Sequence, residues 1–149
     1  QKIAIIFSNG SSQVSVAFAD SAASPSWTVE VVDTTLPPNV NTGNEGTTMA
    51  LAKFGQDIYA LWVTGDRTAS QKLYYSKRNG TNDWSTPTLL RDRTGETPDD
   101  LQHISAAEIA AGIAVTYSDE DNLLTEFDLI PLSAGSETPP TEGALYGVM

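Results

Sequence analysis

Residues 57–64 read DIYALWVT, and the alternation leaves no polar side: Ile58, Ala60 and Trp62 fall on one face of an extended strand, Tyr59, Leu61 and Val63 on the other. Apolar residues on both faces predict a strand buried on both sides. Its neighbours follow as a meander. Residues 47–54 form a strand ending at Gly55-Gln56, and after the polar loop 65–70 a third strand runs over 71–77 with Leu73, Tyr74 and Tyr75. Asn79-Gly80 starts the next turn. A fourth strand over 84–90 contains Pro87, which cannot donate to a ladder and so belongs on an edge.

The rest of the chain reads as partial copies of this unit. Ile3, Ala4, Ile5 and Ile6 make a near-continuous apolar strand closed by Asn9-Gly10, and in 13–19 Val14, Val16 and Phe18 alternate with Ser15 and Ala17. After the small-residue loop 20–26, Trp27, Val29 and Val31 share a face. A third unit begins with 103–110, turns at Ala111-Gly112, continues through Ile113, Val115 and Tyr117, and ends with 123–130 before Pro131. HISAAEIAAGIAV, at 103–115, is rich in helix-favouring alanine. It nevertheless repeats IAIIF and TMALAKF in register with the strands that follow, so it is read as strand. The single all-β domain 1–149 is thus expected to hold units at about 1–33, 47–90 and 103–130, with linkers 34–46 and 91–102. The tail 133–143 is polar, and 144–149 could supply one last strand.

Aligning the second strands sets Val14, Ile58 and Ile113 in register at spacings of 44 and 55, and the Trp-initiated strands align Trp27 with Trp84. Repeats of about 40 to 50 residues built from up to four strands are the pattern of propeller blades. Three blade-like units are expected, only the middle one complete. A lectin-type β-sandwich is the alternative, because strand number and length suit both.

Charge narrows the partners. Eight Lys and Arg stand against 19 Asp and Glu, a formal charge of −11, which argues against nucleic acid and anionic membrane, both of which demand a basic patch. No apolar run approaches the length of a membrane span. Without cysteine there is neither a disulfide framework nor a thiolate metal site, so stability has to come from packing. Asn9-Gly10-Ser11 and Asn79-Gly80-Thr81 fit the N-glycosylation pattern and equally fit two ordinary Asn-Gly turns. An opening at Gln1 is what a processed amino terminus or an arbitrary boundary would leave. Together these suggest a secreted, extracellular protein.

The segment GIAVTYSDEDNLLTEF at 112–127 resembles the repeat of the fungal fucose-lectin (Aleuria-type) propellers, with its inner strand, second strand and "N-x-L-x-E-F" third strand, and KLYYSKRNGTNDW at 72–84 is similar to that third strand running to a Trp. Residues 76–84 also loosely resemble the Asp-box of sialidase-like propellers, without the Asp. In the lectin family the sugar sits between blades, held by a second-strand Arg, a third-strand Glu and an aromatic of the neighbouring blade. The resemblance implies Glu126 as the carboxylate and Trp27 and Trp84 as aromatics. The Arg is missing, replaced by Ser15, Tyr59 and Ala114, and Tyr75 stands for the Glu in the middle unit.

Sugar recognition needs an aromatic face for the C–H surface and fixed polar groups for the hydroxyls. Trp27, Trp84, Tyr74, Tyr75 and Tyr117 with Glu126 could supply them, and could equally be strand packing with one solvated acid. Catalysis is less well provided for. A glycosidase needs two carboxylates, one kept protonated, whereas Asp99, Asp100, Asp119, Glu120 and Asp121 cluster in expected turns. Arg67, Arg78, Arg91 and Arg93 are expected in or beside loops rather than in the strand positions a sialidase would use. His103 is the lone histidine and no GxSxG occurs, so no nucleophile triad is expected. The acidic run 119–122 lacks calcium-loop spacing, so neither metal nor cofactor is implied.

The expectation is therefore a non-enzymatic, glycan-binding propeller module. A structural or protein-interaction propeller without sugar sites is the alternative, and a glycosidase-like enzyme comes third. Propellers close with about four to eight blades. Three units are too few, so two chains are expected to pair into a six-bladed ring, or the chain to complete a longer propeller. The apolar faces then expected in water carry Ile3, Ile5, Val14, Val16, Ile104, Ile113 and Val115.

Overall fold

In the computed structural model, residues 3–8, 13–20, 25–36, 38, 48–65, 71–95, 101–119 and 124–132 are described. The turn at Asn9-Gly10, most of the first linker, Arg67, Asp99, Asp100, the turn residues 120–122 and the tail from 133 lie outside them. The described residues form antiparallel strands without a helix, as the alternation predicted. HISAAEIAAGIAV is indeed two strands joined at Ala110-Ala111.

The first sheet holds β1 (Ile3–Ser8), β2 (Val14–Ala19) and β3 (Trp27–Asp33) in chain order. The second holds β4 (Met49–Phe54), β5 (Asp57–Thr64) and β6 (Lys72–Gly80), with β7 (Asp83–Trp84) and β8 (Thr88–Asp92) both paired to β6. The third holds β9 (Gln102–Ile109), β10 (Gly112–Asp119) and β11 (Leu124–Pro131).

Three local readings change. The first concerns Trp27–Asp33, which pairs directly with β2 and is therefore a third strand, so Trp27 is not the counterpart of Trp84 on the fourth. The second is the turn expected at Asn79-Gly80. It falls later, at Thr81-Asn82, where Asn82 takes the left-handed φ of 54° that Asn tolerates. The third is the expected fourth strand, which is broken in two around Ser85, Thr86 and Pro87. Pro87 cannot serve the ladder, and Ser85 substitutes. Its hydroxyl accepts from Lys77 N at 2.9 Å, and its carbonyl accepts from Ser76 Oγ at 2.6 Å. The edge position read from Pro87 holds.

The sheets stack in chain order with β5 in the middle. Ala60 and Trp62 pack on Val14, Val16 and Val32 of the first sheet, while Tyr59, Leu61 and Val63 pack on Ile113, Val115 and Tyr117 of the third. Both faces of β5 are buried as its alternation required. The spacing alignment fails in one respect: Val14 faces the sheet that follows it, whereas Ile113 faces the sheet that precedes it. A one-residue slip reverses a strand's faces. Val14, Val16, Ile104, Ile113 and Val115, expected partly in water, are buried between sheets.

The stack is closest at the first strands, β1, β4 and β9, and opens toward the last ones. Gly55 N at the β4–β5 turn donates to Glu108 Oε1 of β9 at 3.0 Å, and Leu101 N donates to the buried Gln71 side chain, tying the entry of the third sheet to β6. At Gly112, φ is 141° and a Cβ would collide with the Ile130 carbonyl oxygen, so the hairpin requires glycine.

Candidate functional site

Where the sheets diverge, apolar side chains are too short to bridge the gap, and long polar ones span it. This happens twice. Between the first and second sheets, Glu30 of β3 accepts from Arg78 Nε at 2.8 Å and Arg78 Nη2 at 2.6 Å, and from Trp84 Nε1 at 3.1 Å. The Arg78 guanidinium lies 4.7 Å over the Phe18 ring. Glu30 is 1% exposed, and the Arg78 hydrogen bonds outweigh burial to hold its carboxyl below the ordinary range.

The second crossing lies between the second and third sheets. Glu126 of β11 meets Arg91 Nη2 of β8 at 2.9 Å and also pairs with Arg93, just beyond β8. The Tyr117 hydroxyl lies 2.7 Å from Asp128 Oδ2 and 3.3 Å from Glu126 Oε2, and its single proton serves one carboxylate at a time. Burial and then Asp128 push the Tyr117 phenol well above its ordinary range. Opposite Tyr117 the β9–β10 ladder carries a bulge, with His103 at a left-handed φ of 49°. Unlike Glu30, this cluster reaches water: the side chains of Glu126 and Arg91 are 26% and 36% exposed.

The six residues singled out from sequence separate into three places. Glu126 and Tyr117 are hydrogen-bonded neighbours, and Tyr75 lies on the same side of the middle sheet, half-buried with its ring 6.4 Å from that of Tyr59. Trp84 belongs to the other crevice, its indole N–H committed to Glu30. Trp27 stands on the outward side of the first sheet, half exposed. Tyr74 also points away from Glu126 and stacks on Trp62.

The arginines correct the sequence reading. Arg78 and Arg91 lie within β6 and β8, and Arg93 directly follows β8, so the guanidinium missing from the second strands reaches Glu126 from the neighbouring sheet. Extending the fourth strand two residues beyond Leu90 would have placed Arg91 on it. Glu30 had a weaker signal: an acid amid the apolar residues of WTVEVVD. Among the described residues no group of three metal-ligating side chains converges. No family model, no curated protein and no solved structure matches this chain.

Proposed function

We propose that the chain is a non-enzymatic carbohydrate-binding module built of three propeller blades, with its sugar site in the crevice between the second and third sheets. The carrying observation is the pair of Glu126 and Arg91. A third-strand carboxylate and a guanidinium of the adjacent sheet meet at a partly open seam, which supplies a fixed acceptor and fixed donors for neighbouring sugar hydroxyls. Tyr75, on the same side of the middle sheet, is the aromatic candidate for the sugar's C–H face. The blade reading draws support from three meanders stacked in order and closest at their first strands.

The chemistry present favours binding over turnover. A Tyr117 phenol held above its ordinary range is a poor nucleophile near neutrality, and the Glu126 carboxylate already carries two guanidinium partners. Those same partners are the best support for the alternative, a protein-interaction propeller without a sugar site.

A broad array of neutral, amino and acidic saccharides tests the reading. The expected result is a signal on at least one saccharide class, reduced at least tenfold by Arg91→Met and by Tyr75→Ala while Arg78→Lys keeps it. Silence across the array overturns the lectin reading. Turnover of aryl glycosides that disappears in Glu126→Gln overturns its non-enzymatic part.

A further inference from the structure

Among the described residues, the outward faces of the two end sheets are apolar or uncharged by strand register. On the first sheet, register sets Ile5, Ala17 and Val29 abreast, with Trp27 and Val31 on the same side. Ile5 is 49% exposed and Val29 53%. On the third sheet, Thr116 stands beside Phe127, with Ala107, Ala114 and Leu129 on the same side. Phe127 is 60% exposed. No described residue on either of these faces, by strand register, is charged, in a chain with 19 acids and 8 bases. An uncharged apolar sheet face on so acidic a protein marks an interface.

We infer that these two faces pack on one another in a second copy of the chain, first sheet against third, twice around a two-fold axis, closing a ring of six sheets. The partner follows from continuity. Inside the chain, each sheet lays its following side on the preceding side of the next, and the two free faces are one of each kind. The same operation therefore joins copy to copy. Shape agrees: Ala17 leaves a hollow between Ile5 and Val29 on the first sheet, and Phe127 rises as a ridge on the third. Pairing first sheet with first sheet would set the Ile5 and Val29 ridges against themselves and leave Phe127 in water. Head-to-tail contacts form rings when the rotation closes, and six blades lie within the usual range of about four to eight. This rests on the blade-like stacking and not on sugar binding.

Sedimentation of the 149-residue chain at micromolar concentration is the test, with an expected mass twice the 15.9 kDa of one chain. Val29→Lys and Phe127→Lys each convert it to monomer with unchanged circular dichroism, since both positions are exposed. Leu89→Lys, at an exposed apolar site on the middle sheet, leaves the dimer intact. A wild-type chain that stays monomeric overturns the inference. A dimer insensitive to Phe127→Lys, or one dispersed equally by Leu89→Lys, overturns the first-on-third geometry. Mass that keeps growing with concentration overturns closure.

Discussion

The two crevices use the same chemistry to different ends. Each sets a glutamate from a third strand against arginine from the middle sheet. Between the first and second sheets the carboxylate is sealed, gripped by two N–H groups along one edge of a guanidinium and capped by an indole N–H, so the cluster ties the sheets together. Between the second and third, two guanidiniums and a phenol share a carboxylate that water still reaches. Exposure decides the role: a buried charge must keep its partners, whereas a half-open pair can exchange one for a ligand.

The largest expected effects come from the aromatic anchor of each crevice. Trp62, fully buried with its indole N–H on the Leu36 carbonyl at 3.1 Å, should cost about 4 kcal/mol when changed to Ala, and Tyr117→Ala nearly as much. Urea denaturation measures both, and parity would show that the two interfaces contribute alike to the fold. The arginines then separate them. Arg78→Met leaves Glu30 buried without its main partner and should cost about 3 kcal/mol, while Arg91→Met, with Arg93 still on Glu126, should cost less than about 1 kcal/mol. Equal losses would erase the distinction between structural tie and open site.

Acid sharpens the contrast in the sealed crevice. The folded-state Glu30 carboxyl titrates below its ordinary 4.5, so the folded form binds fewer protons there than the unfolded form. The stability it contributes is complete above about 4.5 and drains as pH falls through the lowered value. Denaturant midpoints measured from pH 6 downward should show this loss, and the double variant Glu30→Met with Arg78→Met should flatten it. Alkali reports on the open crevice. Because the Tyr117 phenol is raised, stability should fall as pH climbs above the ordinary phenol value of 10.0. Tyr117→Phe should cost about 1 kcal/mol at neutral pH, with loss of that alkaline dependence.

How much of this was legible varies by residue. The double burial of β5, the strand character of the alanine-rich segment and the edge position at Pro87 were all readable, because each depends on side chains a few positions apart. Trp27 was misplaced because a Trp opening a strand looks the same on a third strand as on a fourth, and only pairing with β2 tells them apart. Glu126 stood out by its motif. Its partners did not, since Arg91 is 35 residues away in the chain and Arg78 is 48 from Glu30.

The sequence by itself determined the period-two alternation and the all-strand character of the described residues, since these are set by local sterics and by which residues can leave water. Which face of each sheet meets which neighbour was decided only in the tertiary structure. A one-residue shift in register exchanges the two faces of a strand at almost no local cost, so the choice falls to packing between sheets. That choice buried Val14 and Ile113, left Val29 and Phe127 outside, and brought Arg91 to Glu126.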